Sequence, residues 1–184
     1  MNKATLKSIR ARDVYVRHEI DLMDIGSKGS VKLNGQLYRY VLTVIDIFSR
    51  FVWLRPLKSK SSREVAKELE SIYVEHGAPR IIQSDQGGEL KKAMKTPCDR
   101  MNLKLIYSRP RHPQPQCKAE RCHRTLKSKL EYDLSKLGQD GVNWAKQLPT
   151  YQRILNNDPK EVMLIKHHLK YILHENDITL EKEV

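Results

Sequence analysis

The chain has 184 residues, with 34 Lys and Arg against 22 Asp and Glu, a formal charge of +12, and 39% hydrophobic residues. That is one domain's worth of chain with enough apolar content for a core, which excludes a disordered tail, and runs such as Tyr40 to Ile45, closed by Asp46, are far shorter than the roughly 20 residues that cross a bilayer, so no membrane partner is expected. The charge is uneven, with 15 − 11 = +4 in residues 1–90, 12 − 2 = +10 in residues 91–130 and 7 − 9 = −2 in residues 131–184, and a field concentrated in one stretch points either to a polyanion partner, whose condensed counterions it would release, or to a solvated basic surface.

Residues 1–16 form a basic N-terminal arm without the apolar segment of a secretory signal; the absence of acids before Asp13 leaves a mitochondrial presequence as a minor alternative. From Arg17 to Ile25 the pattern alternates in part, with Ile20 and Leu22 opposite Asp21 and Met23, and the Gly26 to Gly29 cluster ends it, so a strand and a turn are predicted. Tyr38 to Phe48 and Phe51 to Leu54 are rich in β-branched and aromatic residues and predict a hairpin stopped by Pro56. Ser61-Ser-Arg-Glu64 is a capping box, and Val65, Leu69, Ile72 and Tyr73 then recur at helical spacing until Gly77 and Pro79. Ile81-Ile82 predicts a short buried strand leading into Ser84-Asp85-Gln86-Gly87-Gly88, followed by a basic helix from Glu89 and a strand from Leu103 to Tyr107.

Residues 109–116 hold three prolines and predict an exposed, semi-extended loop. It opens into the longest helix, Lys118 to Leu137, with Ala119, Cys122, Leu126, Leu130, Leu134 and Leu137 on one stripe and Glu120, Arg124, Lys127 and Glu131 on another face. A last helix from about Val142 to Asn156 carries Trp144, Leu148, Tyr151 and Leu155 on one side, with a kink expected at Pro149. The order predicts an α/β domain, a mixed five-stranded sheet flanked by helices of the RNase H-like kind, over residues 17–158. Cys98, Cys117 and Cys122 are an odd number, suited to reduced thiols. With no C-x-x-C and no second histidine at ligand spacing from His123, no zinc is expected.

Three carboxylates stand where they can meet. Asp21 lies inside the first strand, Asp85 at the end of the fourth, and Glu120 in the first turn of the long helix, and strand ends and helix starts along one sheet edge are where an α/β domain builds its site. Three carboxylates packed together repel unless cations join them, and two divalent ions about 3.5 to 4 Å apart both remove that penalty and support phosphoryl transfer. Each acid taken singly has an ordinary reading: a solvent-facing strand residue, a turn former before Gly87, or a helix N-terminal acid. Asp24 is a near neighbour of Asp21, but an odd offset puts it on the other side of the sheet. Tyr107, Trp53 and Trp144 sit in apolar patterns and are expected in the core, and Asp46 and Arg50 are read as structural.

The segments EIDLMDI, YVLTVIDIFSRFVWLRPLKSKSSREVAKELE, GAPRIIQSDQGGEL and HPQPQCKAERCHRTLK, in this order, closely resemble the catalytic core of retroviral and LTR-retrotransposon integrases, nearest to the gypsy-like, metaviral kind. The resemblance runs from about residue 18 to 158. That family carries a D,D,E triad with 34 residues between the second Asp and the Glu, and here 120 − 85 − 1 = 34. The resemblance implies an RNase H-like core that uses two Mg2+ or Mn2+ ions to process DNA ends and join the 3′-hydroxyl to target DNA. Asp21 would bridge both ions, Asp85 would hold one and Glu120 the other. Arg124 and Lys127, with Lys118, Arg121, Arg111 and Arg109, would meet DNA phosphates, unless Arg124 simply pairs with Glu120. It also implies a homodimer, nuclear residence, a host chromatin-associated partner, and a core alone without the family's zinc-binding N-terminal and barrel C-terminal modules.

Two positions depart from the pattern: Gln86 follows the second Asp where the family carries Asn, and Cys117 stands where it carries Gly in the loop before the catalytic helix. A Cβ there, beside Pro115, stiffens the loop. A second reading therefore stays open, a domesticated transposon-derived nucleic-acid-binding or protein-interaction module with little catalysis, and a third is an RNase H-like nuclease. Residues 159–184 diverge: Lys166 to Leu173 stands where the family continues toward T-P-F-E-I-Y-F-G, and permitted codons shifted by one base spell T-P-F-E-I-Y-F, so a frameshifted tail is expected.

Overall fold

The structure is a computed structural model that describes residues 13–84, 88–107, 124–129 and 143–157. The predicted arm up to residue 12, the Pro-rich loop, the rest of the long helix and the predicted tail lie outside the described residues.

Five strands form the main sheet: β1 (Arg17–Asp24), β4 (Tyr40–Asp46), β5 (Val52–Leu57), β6 (Ile81–Ser84) and β7 (Lys104–Tyr107). Their order is β5-β4-β1-β6-β7, with β4 antiparallel to both β1 and β5, and β6 parallel to both β1 and β7. The helices are α1 (Ser62–His76), α2 (Gly88–Arg100), α3 over 124–129, and α4 (Trp144–Asn156). This is the mixed, helix-flanked α/β arrangement that the order of elements predicted, with β1 at its centre.

Alternation in the strands divides the core in two. Ile20, Leu42, Val44 and Trp53 face α1 and α2, which present Val65, Leu69 and Ile72, and Leu90, Met94 and Cys98. Val41, Ile45, Val52 and Leu54 face the other way, onto Leu126 of α3 and Trp144, Leu148 and Tyr151 of α4. Trp53 and Trp144 are both fully buried, as their apolar settings predicted. Tyr107 is only half-buried, with Lys91 Nζ 5.3 Å from its ring centroid. α4 runs from Trp144 to Asn156 as one element with Pro149 inside it.

Three local features differ from expectation. A small hairpin, β2 (Val31–Leu33) and β3 (Gln36–Tyr38), precedes β4, so the run predicted from Tyr38 to Phe48 is divided between two strands. Its turn is Asn34-Gly35, with φ of 50° and 74°, the left-handed pair that a two-residue hairpin turn needs. It docks on the start of α4, where Asn143 Nδ2 donates to the Lys32 carbonyl at 2.6 Å, and Trp144 Nε1 donates to the carbonyl of Gly29, just before the hairpin, at 2.7 Å. Pro56 does not stop β5, which continues to Leu57, because β5 is an edge strand and a missing amide there leaves no ladder bond unmade. At the start of α1, Ser61 Oγ accepts from the Glu64 amide, but Glu64 reaches past Ser61 to accept from the Lys58 and Ser59 amides at 2.7 and 3.0 Å. That clamp joins the end of β5 to α1.

Asp46 acts as the structural residue it was read to be. Its carboxylate accepts from the Tyr15 amide at 2.9 Å, the Phe48 and Ser49 amides at 3.0 and 2.6 Å, and the Ser49 hydroxyl at 2.9 Å. It thereby ties the chain entering β1 to the β4–β5 turn, in which Arg50 takes a φ of 68°.

Candidate functional site

β1, β6 and β7 run parallel, so their C-terminal ends share one edge of the sheet. β4 begins at that edge, with Tyr40 opposite Asp24, and β5 ends there, with Leu57 opposite Tyr40. Of the three predicted carboxylates, Asp21 is among the described residues. It is half-buried near the end of β1, opposite Thr43, and its Oδ1 accepts from the Leu22 amide at 2.7 Å. Asp85 and Glu120 lie outside the described residues, as do Gln86 and Cys117. The register nonetheless pairs Ile20 with Ser84, so the described ladder of β1 and β6 stops one residue short of Asp21 on one strand and of Asp85 on the other.

The side of the sheet on which Asp21 stands follows from its neighbours. Met23, two residues on, packs with Leu126 and the α4 cluster, whereas Leu22 packs with the α1 and α2 cluster. Asp21 therefore shares the face covered by α3. On the same face Glu19 is buried, and Arg17 Nη1 donates to Gln83 Oε1 at 3.2 Å, a polar bridge between β1 and β6.

Asp24 faces the other way and is occupied. Its two oxygens accept from Arg39 Nε and Nη2, both at 2.8 Å, and Oδ1 also accepts from the Gly26 amide. The Arg39 bonds hold the Asp24 carboxyl below its ordinary pKa. Alternation alone had preferred Asp21, and the structure adds that Asp24 is committed to an ion pair.

Arg124 and Lys127, predicted to meet phosphates, are exposed on α3, while Leu126 between them is fully buried and seats the helix on the Asp21 face. Lys118, Arg121, Arg111 and Arg109 lie outside the described residues. Sequence reasoning did not single out Arg39, Lys60 and Lys92, which with Tyr40 and Asp24 line a cavity of about 500 Å³ at the same edge. They stand far apart in the chain, and only the pairing of β4 with β1 and the position of α1 beside α2 bring them together.

No group of three or more His, Cys, Asp or Glu among the described residues could hold a metal. The predicted donor set consists of carboxylate oxygens, hard ligands of the kind that Mg2+ and Mn2+ take. Cys98 is buried in the core, and burial pushes its thiol up to about 11, away from nucleophile or soft-metal chemistry. Cys117, Cys122 and His123 lie outside the described residues. None of the helices among the described residues is long and apolar enough to cross a membrane.

Comparison with known proteins gives the same picture. A family model described as the integrase core domain matches residues 16–113. The Pro-Pol polyprotein of simian foamy virus type 3 is 34% identical over 121 residues, covering 65% of this chain and 10% of the polyprotein. The human KRAB-A domain-containing protein 2 is 24% identical over 152 residues, covering 82% of this chain and 30% of that protein. The chain thus spans about a tenth of the viral relative's length and under a third of the human one's. Among solved structures, the HTLV-2 integrase catalytic core domain, a dimeric form in complex with magnesium, superposes with a TM-score of 0.58 at 18% identity, covering 80% of this chain and 90% of that one.

Proposed function

Because the chain belongs to the integrase core domain family, we propose that it is a metal-dependent polynucleotidyl transferase that processes DNA ends and joins them to target DNA. The observation that carries this reading is the place of Asp21: it stands on the α3 face, level with the point where β6 hands the chain on to Asp85, and 34 residues separate Asp85 from Glu120.

Asp21, Asp85 and Glu120 would hold two Mg2+ or Mn2+ ions. When bound, such a pair activates the attacking oxygen and stabilises the leaving one. The chain's own residues supply the frame. Asp21 is fixed in the central strand with one oxygen on the Leu22 amide, and the Arg17–Gln83 bridge braces the start of β1 against β6. Arg124 and Lys127, with Lys118, Arg121, Arg111 and Arg109, would bind phosphates beside the reacting one, where contacts position DNA without reading its sequence. We further propose that the protein works as a homodimer, a reading supported by the dimeric form of the HTLV-2 core structure, and acts in the nucleus, where a host chromatin-associated protein would direct it.

A second reading is a domesticated module that keeps the fold and binds nucleic acid or protein with little turnover. The relationship to a human protein named for a KRAB-A domain, together with Gln86 and Cys117, favours it. Strand joining and its reversal on a branched DNA oligonucleotide in Mg2+ or Mn2+ separate the two. Metal-dependent products lost in Asp85→Asn and Glu120→Gln are expected of the transferase. DNA binding with no product, and with a salt dependence that Asp85→Asn leaves alone, is expected of the module.

A further inference from the structure

β4 lies inside the sheet, between β5 and β1, and alternation puts Thr43 on the same face as Val41 and Ile45, under α3 and α4. Thr43 is 1% exposed, and its Oγ1 makes no hydrogen bond. A hydroxyl buried without a partner destabilises a fold, because the water it gave up is not replaced. Valine has nearly the same shape without that cost, suits a strand equally well, and stands at Val41 and Val44 of this same strand. Packing alone therefore gives no reason for a hydroxyl at this position.

The neighbours of Thr43 within the sheet supply one. The register sets it directly opposite Asp21 on β1 and Leu54 on β5, so the three share a face. Directly opposite residues have Cβ atoms about 4.5 to 5.5 Å apart, close enough for a hydroxyl and a carboxylate to share a hydrogen bond, whereas diagonal neighbours are about 7 to 8 Å apart. Glu19, the other acid of β1 on this face, stands opposite Ile45 and so is diagonal to Thr43. Of the two acids, Asp21 is the one within reach. A carboxylate offers about four lone-pair sites, so one that accepts from the Leu22 amide through Oδ1 can also ligate an ion and accept from a hydroxyl.

We propose that Thr43 is a positioning residue for the metal site, its hydroxyl donating to the Asp21 carboxylate when that carboxylate binds Mg2+ or Mn2+. The assignment rests on the reading of Asp21 as a metal ligand given above. Carboxylates that hold a metal are themselves held by hydrogen bonds, and removing such a partner weakens metal binding by about 10- to 100-fold. A bond made on metal binding offsets the burial of the hydroxyl in the bound state alone, so it appears as affinity for the ion and not as stability of the fold. Thr43 touches neither DNA nor the reacting atoms; it fixes how the Asp21 oxygens are turned.

The test compares the unaltered protein with Thr43→Val, Thr43→Ser and Asp21→Asn, using Mn2+ alone as the probe and no DNA. Affinity is read from the electron paramagnetic resonance signal of free Mn2+, and thermal unfolding is followed with and without the ion. Loss of binding in Asp21→Asn identifies the ion held at this site. Thr43→Val is expected to unfold without Mn2+ at the same temperature as the unaltered protein or a higher one, and to bind Mn2+ about 10- to 100-fold more weakly. Thr43→Ser, which keeps the hydroxyl, is expected to keep most of the affinity. Unchanged affinity in Thr43→Val, with binding lost in Asp21→Asn, would overturn this assignment alone. So would equal weakening in Thr43→Val and Thr43→Ser, or a Thr43→Val protein that is less stable without Mn2+, since the hydroxyl would then serve the fold itself. No Mn2+ binding by the folded, unaltered protein, or binding that Asp21→Asn leaves intact, would overturn it together with the reading of Asp21 on which it rests.

Discussion

Asn156 on α4 and Val52 on β5 exchange two hydrogen bonds across the edge of the sheet: the Val52 amide donates to Asn156 Oδ1 at 2.8 Å, and Asn156 Nδ2 donates to the Val52 carbonyl at 3.0 Å. One turn earlier, Gln152 Oε1 accepts from the Leu54 amide at 2.8 Å. Two side-chain amides thus imitate a neighbouring strand, satisfying edge groups that would otherwise pair with another chain. Asn156→Ala leaves the Val52 amide and carbonyl buried without these partners, and we expect it to lower stability by about 2 kcal/mol in urea unfolding. An unchanged midpoint would show that water replaces the side chain at no cost.

Asp46 gathers four donors in the core, and their loss is expected to be the most damaging single change outside the candidate site. Burial on its own would raise this carboxyl, but the His18 ring and the Ser49 donors outweigh it and the pKa falls below the ordinary value of 3.8. A lowered carboxyl stabilises the fold above its unfolded pKa and loses that contribution as pH drops through the folded one, so this part of the stability is present at pH 5 and decays below about pH 4. Asp46→Ala, which strands the Tyr15, Phe48 and Ser49 donors, should cost about 2 to 4 kcal/mol. Chemical denaturation at neutral pH reads the loss, and a cost under about 0.5 kcal/mol would contradict the role.

His18 is fully buried between the rings of Tyr15, Trp53 and Tyr73, whose centroids lie 5.8, 5.1 and 5.7 Å away, and its Nε2 is 3.4 Å from Asp46 Oδ2, too long for a strong bond. Burial lowers its pKa below 6.5, and the facing Asp46 carboxylate offsets only part of that shift. A lowered histidine favours the neutral ring in the fold, so stability is complete above pH 6.5 and falls as pH drops from there toward the folded value. Melting temperature followed from pH 7.5 to pH 5 should decline, and His18→Phe should flatten that decline. An equal decline in both proteins would place the proton elsewhere.

Arg124 and Lys127 flank the buried Leu126, so changing both removes charge without unseating α3. Arg124→Ala/Lys127→Ala should weaken duplex binding to similar extents on different DNA sequences and reduce the salt slope by about 1.8. Weakening confined to one sequence would mean that these residues read bases instead.

The parts of this fold that were legible in the sequence are those with a long period or a local chemical signal. α1 announced its four core residues by helical spacing behind the Ser61 capping box, and all four are buried. β4 and β5 were visible as β-branched and aromatic runs, and β1 by its partial alternation up to the Gly26 to Gly29 cluster. The β2–β3 hairpin was missed because three-residue strands are too short to establish alternation, although Asn34-Gly35 was a usable turn signal. Pro56 was misread because whether a proline ends a strand depends on whether that strand lies at an edge, which is a property of the assembled sheet. At the site, alternation distinguished Asp21 from Asp24. The Arg39, Lys60 and Lys92 cavity was invisible because no spacing in the chain encodes a juxtaposition made by strand pairing and helix packing.

The choice of Asp21 as the carboxylate in β1 also predicts unequal outcomes for two acids three residues apart. Asp21→Asn should reduce DNA joining by at least about 100-fold, the scale of losing a group that acts only in the transition state, while Asp24→Asn, which loosens Arg39, should cost no more than about tenfold. Comparable losses in the two would remove the structural basis for preferring Asp21.

The measurement closest to the central claim is strand joining on a branched DNA oligonucleotide in Mg2+ and in Mn2+, comparing the unaltered protein with Asp21→Asn, Asp85→Asn and Glu120→Gln. Metal-dependent product is expected from the unaltered protein and none from any of the three variants, with duplex binding retained in all. Product that persists in any one of them, or no product from a folded, DNA-binding, unaltered protein, would contradict it.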